Sequence, residues 1–106
     1  MEEELAETRS RSYRKICAEL GERHLAVLGE LAAHGEMTAQ ETAEALYADR
    51  IAGTADRNAA APRLTELKGK GIVEVAGKRT CHVSGRKVGV FRIAADALPF
   101  VEERLS

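Results

Sequence analysis

Tryptophan is absent from this sequence, and aromatic residues number only four, two Tyr and two Phe. Large aliphatic residues are also scarce. Leu, Ile, Val and Phe together supply 23 of 106 residues, a share just above that at which chains fail to fold. The core must therefore be thin, with 18 Ala allowing helices to pack closely. The length suits one domain and excludes two with separate cores. No apolar run approaches the ~18 residues that cross a bilayer, so no transmembrane helix is expected. The acidic start at Glu2, Glu3 and Glu4 argues against both a secretory signal and a basic transit peptide.

Cysteine is too rare for a disulfide framework. Cys17 and Cys81 read as two thiols in a reducing cytoplasm. A structural zinc site needs four nitrogen or sulfur ligands. The one close pair, Cys81 and His82, would point to opposite faces of a strand. No metal and no cofactor is expected. The motifs of catalysis are missing as well: there is no Gly-rich phosphate loop, no His-x-x-x-His and no Gly-x-Ser-x-Gly. The carboxylates at Glu2 to Glu4, on a free terminus, cannot hold a fixed geometry. An enzyme is not expected.

What the chain does have is a sharp division of charge beneath a net charge of −1. Residues 1–56 carry 6 basic and 12 acidic side chains. Residues 57–92 carry 9 basic side chains (Arg57, Arg63, Lys68, Lys70, Lys78, Arg79, Arg86, Lys87, Arg92) and 2 acidic ones (Glu66, Glu74). Residues 93–106 return to a net −2. Charge sorted this way predicts one surface meant for a polyanion.

Hydrophobic spacing predicts a helix over residues 3–20. Tyr13, Ile16, Cys17 and Leu20 form its apolar stripe, and Arg9, Arg11, Arg14 and Lys15 lie opposite. Residues 22–33 repeat the pattern with Leu25, Leu28, Leu31 and Ala32, and Gly35 supplies the stop. Thr38 and Glu41 form a capping box that opens a helix through Ala48, with Ala39, Ala43, Leu46 and Tyr47 facing inward. Residues 49–56 read as a loop. Another helix covers 58–69, with Pro62 in its first turn, Leu64 and Leu67 buried, and Gly69 or Gly71 at its end. The period then changes from 3.6 to 2. Residues 72–76 and 87–93 read as strands of a hairpin around a basic loop at 77–86. An isolated hairpin is barely stable, so it must pack on the helices, with Met37 near a short third strand. Residues 94–106 form a last helix, with Asp96 near its cap and Leu98, Val101 and Leu105 on one side. The expected fold is mainly α with a small β-hairpin, a winged helix-turn-helix with extra N-terminal and C-terminal helices. Its parts are an N-terminal helix at 1–21, the winged-helix domain at 22–94 and a C-terminal helix at 95–106.

The run from Asn58 to Val75 resembles the recognition helix and first wing strand of winged helix-turn-helix DNA-binding proteins. Members of that superfamily commonly show Arg-Leu-x-x-Leu-x-x-x-Gly-[Leu/Ile]-[Val/Ile], matched here by Arg63, Leu64, Leu67, Gly71, Ile72 and Val73. The stretch from Gly77 to Phe91 is similar to the wing of small bacterial and phage members. The resemblance covers about residues 24–93. The loop at 49–57 is longer than a tight helix-turn-helix turn, and Pro62 stands where many members have Ser or Thr.

The residues themselves point the same way. Leu64 and Leu67 pin one helix face to the core, which leaves Arg57, Asn58, Arg63 and Lys70 on other faces, with Arg63 and Lys70 on one line. Such a helix fits the major groove, where Arg favours guanine and Asn favours adenine. The wing cations Lys78, Arg79, Arg86 and Lys87 suit phosphate or minor-groove contact. Each assignment has a plainer alternative. Arg63 can pair with Glu66, Asn58 can be a helix N-cap, and Lys78 and Arg79 can simply keep an exposed hairpin soluble. The leading expectation is a sequence-specific double-stranded DNA-binding protein, a small transcriptional regulator. It would be a cytoplasmic homodimer built through one or both of its terminal helices, with no small-molecule ligand evident. The alternative is a phage or replication accessory protein that uses the fold as a protein–protein adaptor through its acidic half. A third reading is an architectural DNA module with little base specificity.

Overall fold

The computed structural model describes residues 12–106. The first part of the expected N-terminal helix, the carboxylates Glu2 to Glu4, and Arg9 and Arg11 lie outside the described residues. Helix α1 covers residues 12–19. Then follow α2 (Glu22–His34), β1 (Met37–Thr38), α3 (Ala39–Ala48), a 3-10 turn (Arg57–Ala59), α4 (Ala61–Gly69), β2 (Val73–Thr80), β3 (Lys87–Ile93) and α5 (Leu98–Leu105).

The ends of the helices follow from local chemistry. At the start of α3 the Thr38 hydroxyl accepts from the Glu41 N–H, and the Glu41 carboxylate accepts from the Thr38 N–H. This is the expected capping box, which satisfies two backbone donors that the first turn leaves over. Helix α4 stops at Gly71, whose positive φ of 77° turns the chain back. The Gly71 N–H bonds the Lys68 carbonyl and the Ile72 N–H bonds the Leu67 carbonyl, the two bonds of a Schellman stop. The hydrophobic contact of that motif joins Leu67 to Ile72, both fully buried.

The three strands form one antiparallel sheet in the order β1-β3-β2. Met37 pairs with Phe91 and Thr38 with Val90, so the short third strand expected near Met37 is present. Along the hairpin, Val73 faces Ile93 and Thr80 faces Lys87, with a bulge between Val75 and Gly77. The core is continuous. Leu28 and Leu31 of α2, Ala43 and Leu46 of α3, Leu64 and Leu67 of α4, Ile72, Val73 and Val101 of α5 all belong to it. Each large aliphatic side chain so buried is worth about 1.5–3 kcal/mol. Four Ala are buried in the core, Ala39 and, at 0% exposure, Ala43, Ala60 and Ala97, and six more pack against it, as a chain short of large side chains requires.

Several boundaries differ from those read in the sequence. Tyr47 is 54% exposed, not inward, because α3 ends one residue later and its inward stripe stops at Leu46. In α2 it is Val27 that is buried with Leu28 and Leu31, while Ala32 is exposed. Strand β2 runs on to Thr80, so the expected ten-residue loop shrinks to residues 81–86. Its alternation carries no hydrophobic signal past Ala76, since those residues stand clear of the core. The last helix begins at Leu98. Its N-cap is Ala97, with no side-chain cap, and Asp96 lies in the preceding turn.

Candidate nucleic-acid interface

Helix α4 has three distinguishable sides. Ala60, Leu64 and Leu67 face the core at 0% exposure. The spacing of 100° per residue then sets Pro62, Thr65, Glu66 and Gly69 on the outward side, and all four are exposed. Arg63 and Lys70 share a flank, as expected from their separation, and that flank borders the start of α2. They line one shallow groove with Glu19, Glu22 and His24. Arg63 does not stand outward alone: its Nη2 lies 2.8 Å from Glu66 Oε1. The alternative read from the sequence, a pair with Glu66, is therefore formed. The other oxygen of Glu66 lies 2.9 Å from His24 Nε2, which must carry the proton there because an ionised carboxylate only accepts.

Arg57 and Asn58 sit in the 3-10 turn before α4, both exposed. Asn58 is not the cap of this turn. Asp56 is, its carboxylate accepting from the Asn58 N–H at 2.9 Å. Asn58, Arg63 and Arg23 border a cavity of about 330 Å³ whose other walls include Ala26, Leu46 and Ala59. The long loop before this turn is tied back to α3, where the Gln40 amide donates to the Ala55 carbonyl at 3.0 Å.

The wing divides its cations between two faces. Lys78 lies opposite Gly89 and Lys87 lies opposite Thr80. Directly paired residues share a face and alternate residues repeat it, so Lys78 and Lys87 lie on the same side of the hairpin. Arg79, opposite Val88, lies on the other side. There it meets α3: Arg79 Nη1 donates to both oxygens of Glu41, at 2.9 and 2.7 Å. His82, at the tip, reaches Glu44 of the same helix at 2.9 Å. That carboxylate's hydrogen bond and charge hold the His82 imidazole above its ordinary range. The tip is closed by the Cys81 N–H on the Arg86 carbonyl and by the Gly85 N–H on the Cys81 carbonyl, both at 2.8 Å. Gly85 takes a φ of 73°. The Cys81 thiol accepts from the backbone and hydroxyl of Ser84, which lowers its pKa.

Three of the nine cations between residues 57 and 92 are thus in ion pairs: Arg63 with Glu66, Arg79 with Glu41, and Arg92 with Glu74 and Glu36. Arg57, Lys68, Lys70, Lys78, Arg86 and Lys87 have no carboxylate within 4 Å among the described residues. Sequence reasoning missed the role of Glu41 and Glu44, whose spacing of three on α3 matches two wing residues at the same spacing, Arg79 and His82. It also missed the outward stripe of α4, which a full helical wheel anchored on Leu64 and Leu67 displays. Among the described residues no group of three or more His, Cys, Asp or Glu side chains could hold a metal ion. None of their helices is long and apolar enough to cross a membrane.

No family model matches this sequence, and no curated protein matches it. Among solved structures, the chain is similar to a cysteine-to-serine mutant of MarR from E. coli. The TM-score is 0.60 at 15% sequence identity, over 95% of this chain and 71% of that one. The chain has the winged helix-turn-helix fold, mainly helical with a three-stranded antiparallel sheet.

Proposed function

We propose that this protein is a sequence-specific double-stranded DNA-binding protein that acts as a small transcriptional regulator. The observation that carries the reading is the wing. Its Lys78 and Lys87 share one face, Arg86 sits at its turn, and none of the three has a carboxylate partner among the described residues. Cations left without internal partners on an exposed hairpin suit phosphates, and phosphate contact supplies most of the non-specific affinity for DNA. Helix α4 offers an exposed outward side of helical dimensions that fit the major groove. The adaptor alternative has less behind it. Within the acidic half, Glu36, Glu41 and Glu44 serve as internal counter-charges to Arg92, Arg79 and His82, which takes these three out of any acidic docking surface.

One module makes a limited interface with DNA, and two-fold sites are usual for helix-turn-helix proteins. The reading therefore includes a homodimer through one or both of the terminal helices, within 1–21 and 95–106, around the DNA-binding part at 22–94. Helices α1 and α5 already meet in one chain: Tyr13 stacks on Phe100 at 6.0 Å, and the Arg14 guanidinium lies 5.6 Å from the same ring. The test is exposure of the full chain to a randomised duplex pool at low salt, with light scattering on the same preparation. Enrichment of a two-fold sequence by a dimer supports the reading. Failure to retain any duplex overturns it.

A further inference from the structure

The cation that the sequence offered for base reading, Arg63, is turned to the flank of α4, and the outward stripe holds a single charged side chain, Glu66. We propose that Glu66 is a specificity-determining residue that reads cytosine in the major groove; this rests on the reading of α4 as the helix that enters that groove.

The carboxylate is held rather than free to swing. Arg63 fixes Oε1 at 2.8 Å and His24 fixes Oε2 at 2.9 Å, from two different helices. An ionised carboxylate has about four acceptor sites. Arg63 and His24 use one on each oxygen, so each oxygen keeps a further acceptor site while 43% of the side chain stays open to solvent. The Arg63 charge cancels that of Glu66, which lets the pair approach a groove walled by phosphates. His24 is mostly covered, at 16% exposure, and so acts as a support and not as a contact.

The chemistry of the groove then selects the base. Guanine offers only acceptors there, and thymine an acceptor and a methyl group, so both repel a carboxylate. Adenine presents its amino group beside the N7 acceptor, a pattern that an amide matches and a carboxylate does not. Cytosine presents the N4 amino donor alone. The neighbours on the stripe favour close approach. Gly69 has no side chain. Thr65 donates its hydroxyl to the Ala61 carbonyl at 3.0 Å, which leaves its methyl as the apolar part of its exposed surface.

The experiment is site selection from a randomised duplex library with the full-length wild type, Glu66→Gln and Glu66→Ala, followed by anisotropy titration on the selected site and its single-base swaps. The wild type is expected to fix a C·G pair that it prefers about tenfold or more over the alternatives. Glu66→Ala should lose that preference at that one position while keeping the rest of the site. Glu66→Gln should change it to A·T, the pair whose amino and N7 groups an amide matches. This change of preference separates base reading from mere structural support. The same selected sequence from all three proteins overturns the proposal. So does a wild type that binds duplex with no base preference, although DNA binding itself then stands. A wild type that binds no duplex overturns the functional reading beneath it as well.

Discussion

Arg79 on the wing and Glu41 on helix α3 are locked together at 2.9 and 2.7 Å, and the same Glu41 carboxylate accepts from the Thr38 N–H at 2.9 Å. One side chain therefore starts a helix and anchors a strand that lies 38 residues away in sequence. The wing is set against the helix-turn-helix by this contact and by His82 on Glu44 one turn further along.

Substitutions at this junction should separate the two roles. Glu41→Gln keeps a capping-box side chain but loses the ion pair, and for partly exposed groups that costs under about 1 kcal/mol. Glu41→Ala also loses the bond from the Thr38 N–H, while the Thr38 hydroxyl still caps the helix, and should cost about 0.5–1.5 kcal/mol more. Urea unfolding of both variants and of Arg79→Ala checks the order. Equal losses for Glu41→Gln and Glu41→Ala would show that the bond from the Thr38 N–H contributes nothing. Because Arg79 is already satisfied internally, Arg79→Ala should weaken duplex binding less than Lys78→Ala.

Glu30 is buried at 6% exposure, 3.5 Å from His34. Burial, followed by a hydrogen bond shared with Asp49, raises its pKa above the ordinary 4.5. The native state then holds this proton more tightly than the unfolded chain. Its contribution to stability is present below the ordinary value and is lost as pH rises through the raised one. Glu30→Gln, which removes the charge and can still donate to Asp49, should raise the melting temperature by a few degrees at neutral pH. The gain should vanish in acid. A melting temperature at neutral pH equal to or below that of the wild type would contradict this.

The two thiols should differ in reactivity. Burial pushes Cys17 up, whereas the Ser84 backbone and hydroxyl bring Cys81 down. The thiolate is the reactive form. Limited alkylation with iodoacetamide, read by peptide mass spectrometry, should therefore modify Cys81 first, and Ser84→Ala should slow it. Faster modification of Cys17, or no effect of Ser84→Ala, would contradict this order.

Much of this fold was legible because its signals are local. The capping box at Thr38 and Glu41, the glycine stop at Gly71 and the change of period after Ile72 each act within a few residues. The end of α3 at Ala48 was legible, but the form of its stop was not. It is a Schellman turn like that of α4, but Arg50 takes the positive φ of 60° where glycine is usual, so no residue marks it. The candidate site was legible in composition but not in geometry. Sequence shows that Arg63, Arg79 and Arg92 are basic, but not that Glu66, Glu41, Glu74 and Glu36 stand within reach of them. Pairs such as Arg79 and Glu41 are made by the docking of the hairpin on α3, a tertiary event with no local signature.

Anisotropy of the full chain on a duplex across about 50 to 200 mM salt tests the central claim most directly. The logarithm of affinity should fall linearly with that of salt concentration, and replacing both Lys78 and Lys87 by Ala should make the slope shallower by about 2 per protomer, one for each lost phosphate contact, and so by about 4 for a dimer on a two-fold site. A slope untouched by the double substitution, or no binding at the lowest salt, would contradict the assignment of the wing to DNA.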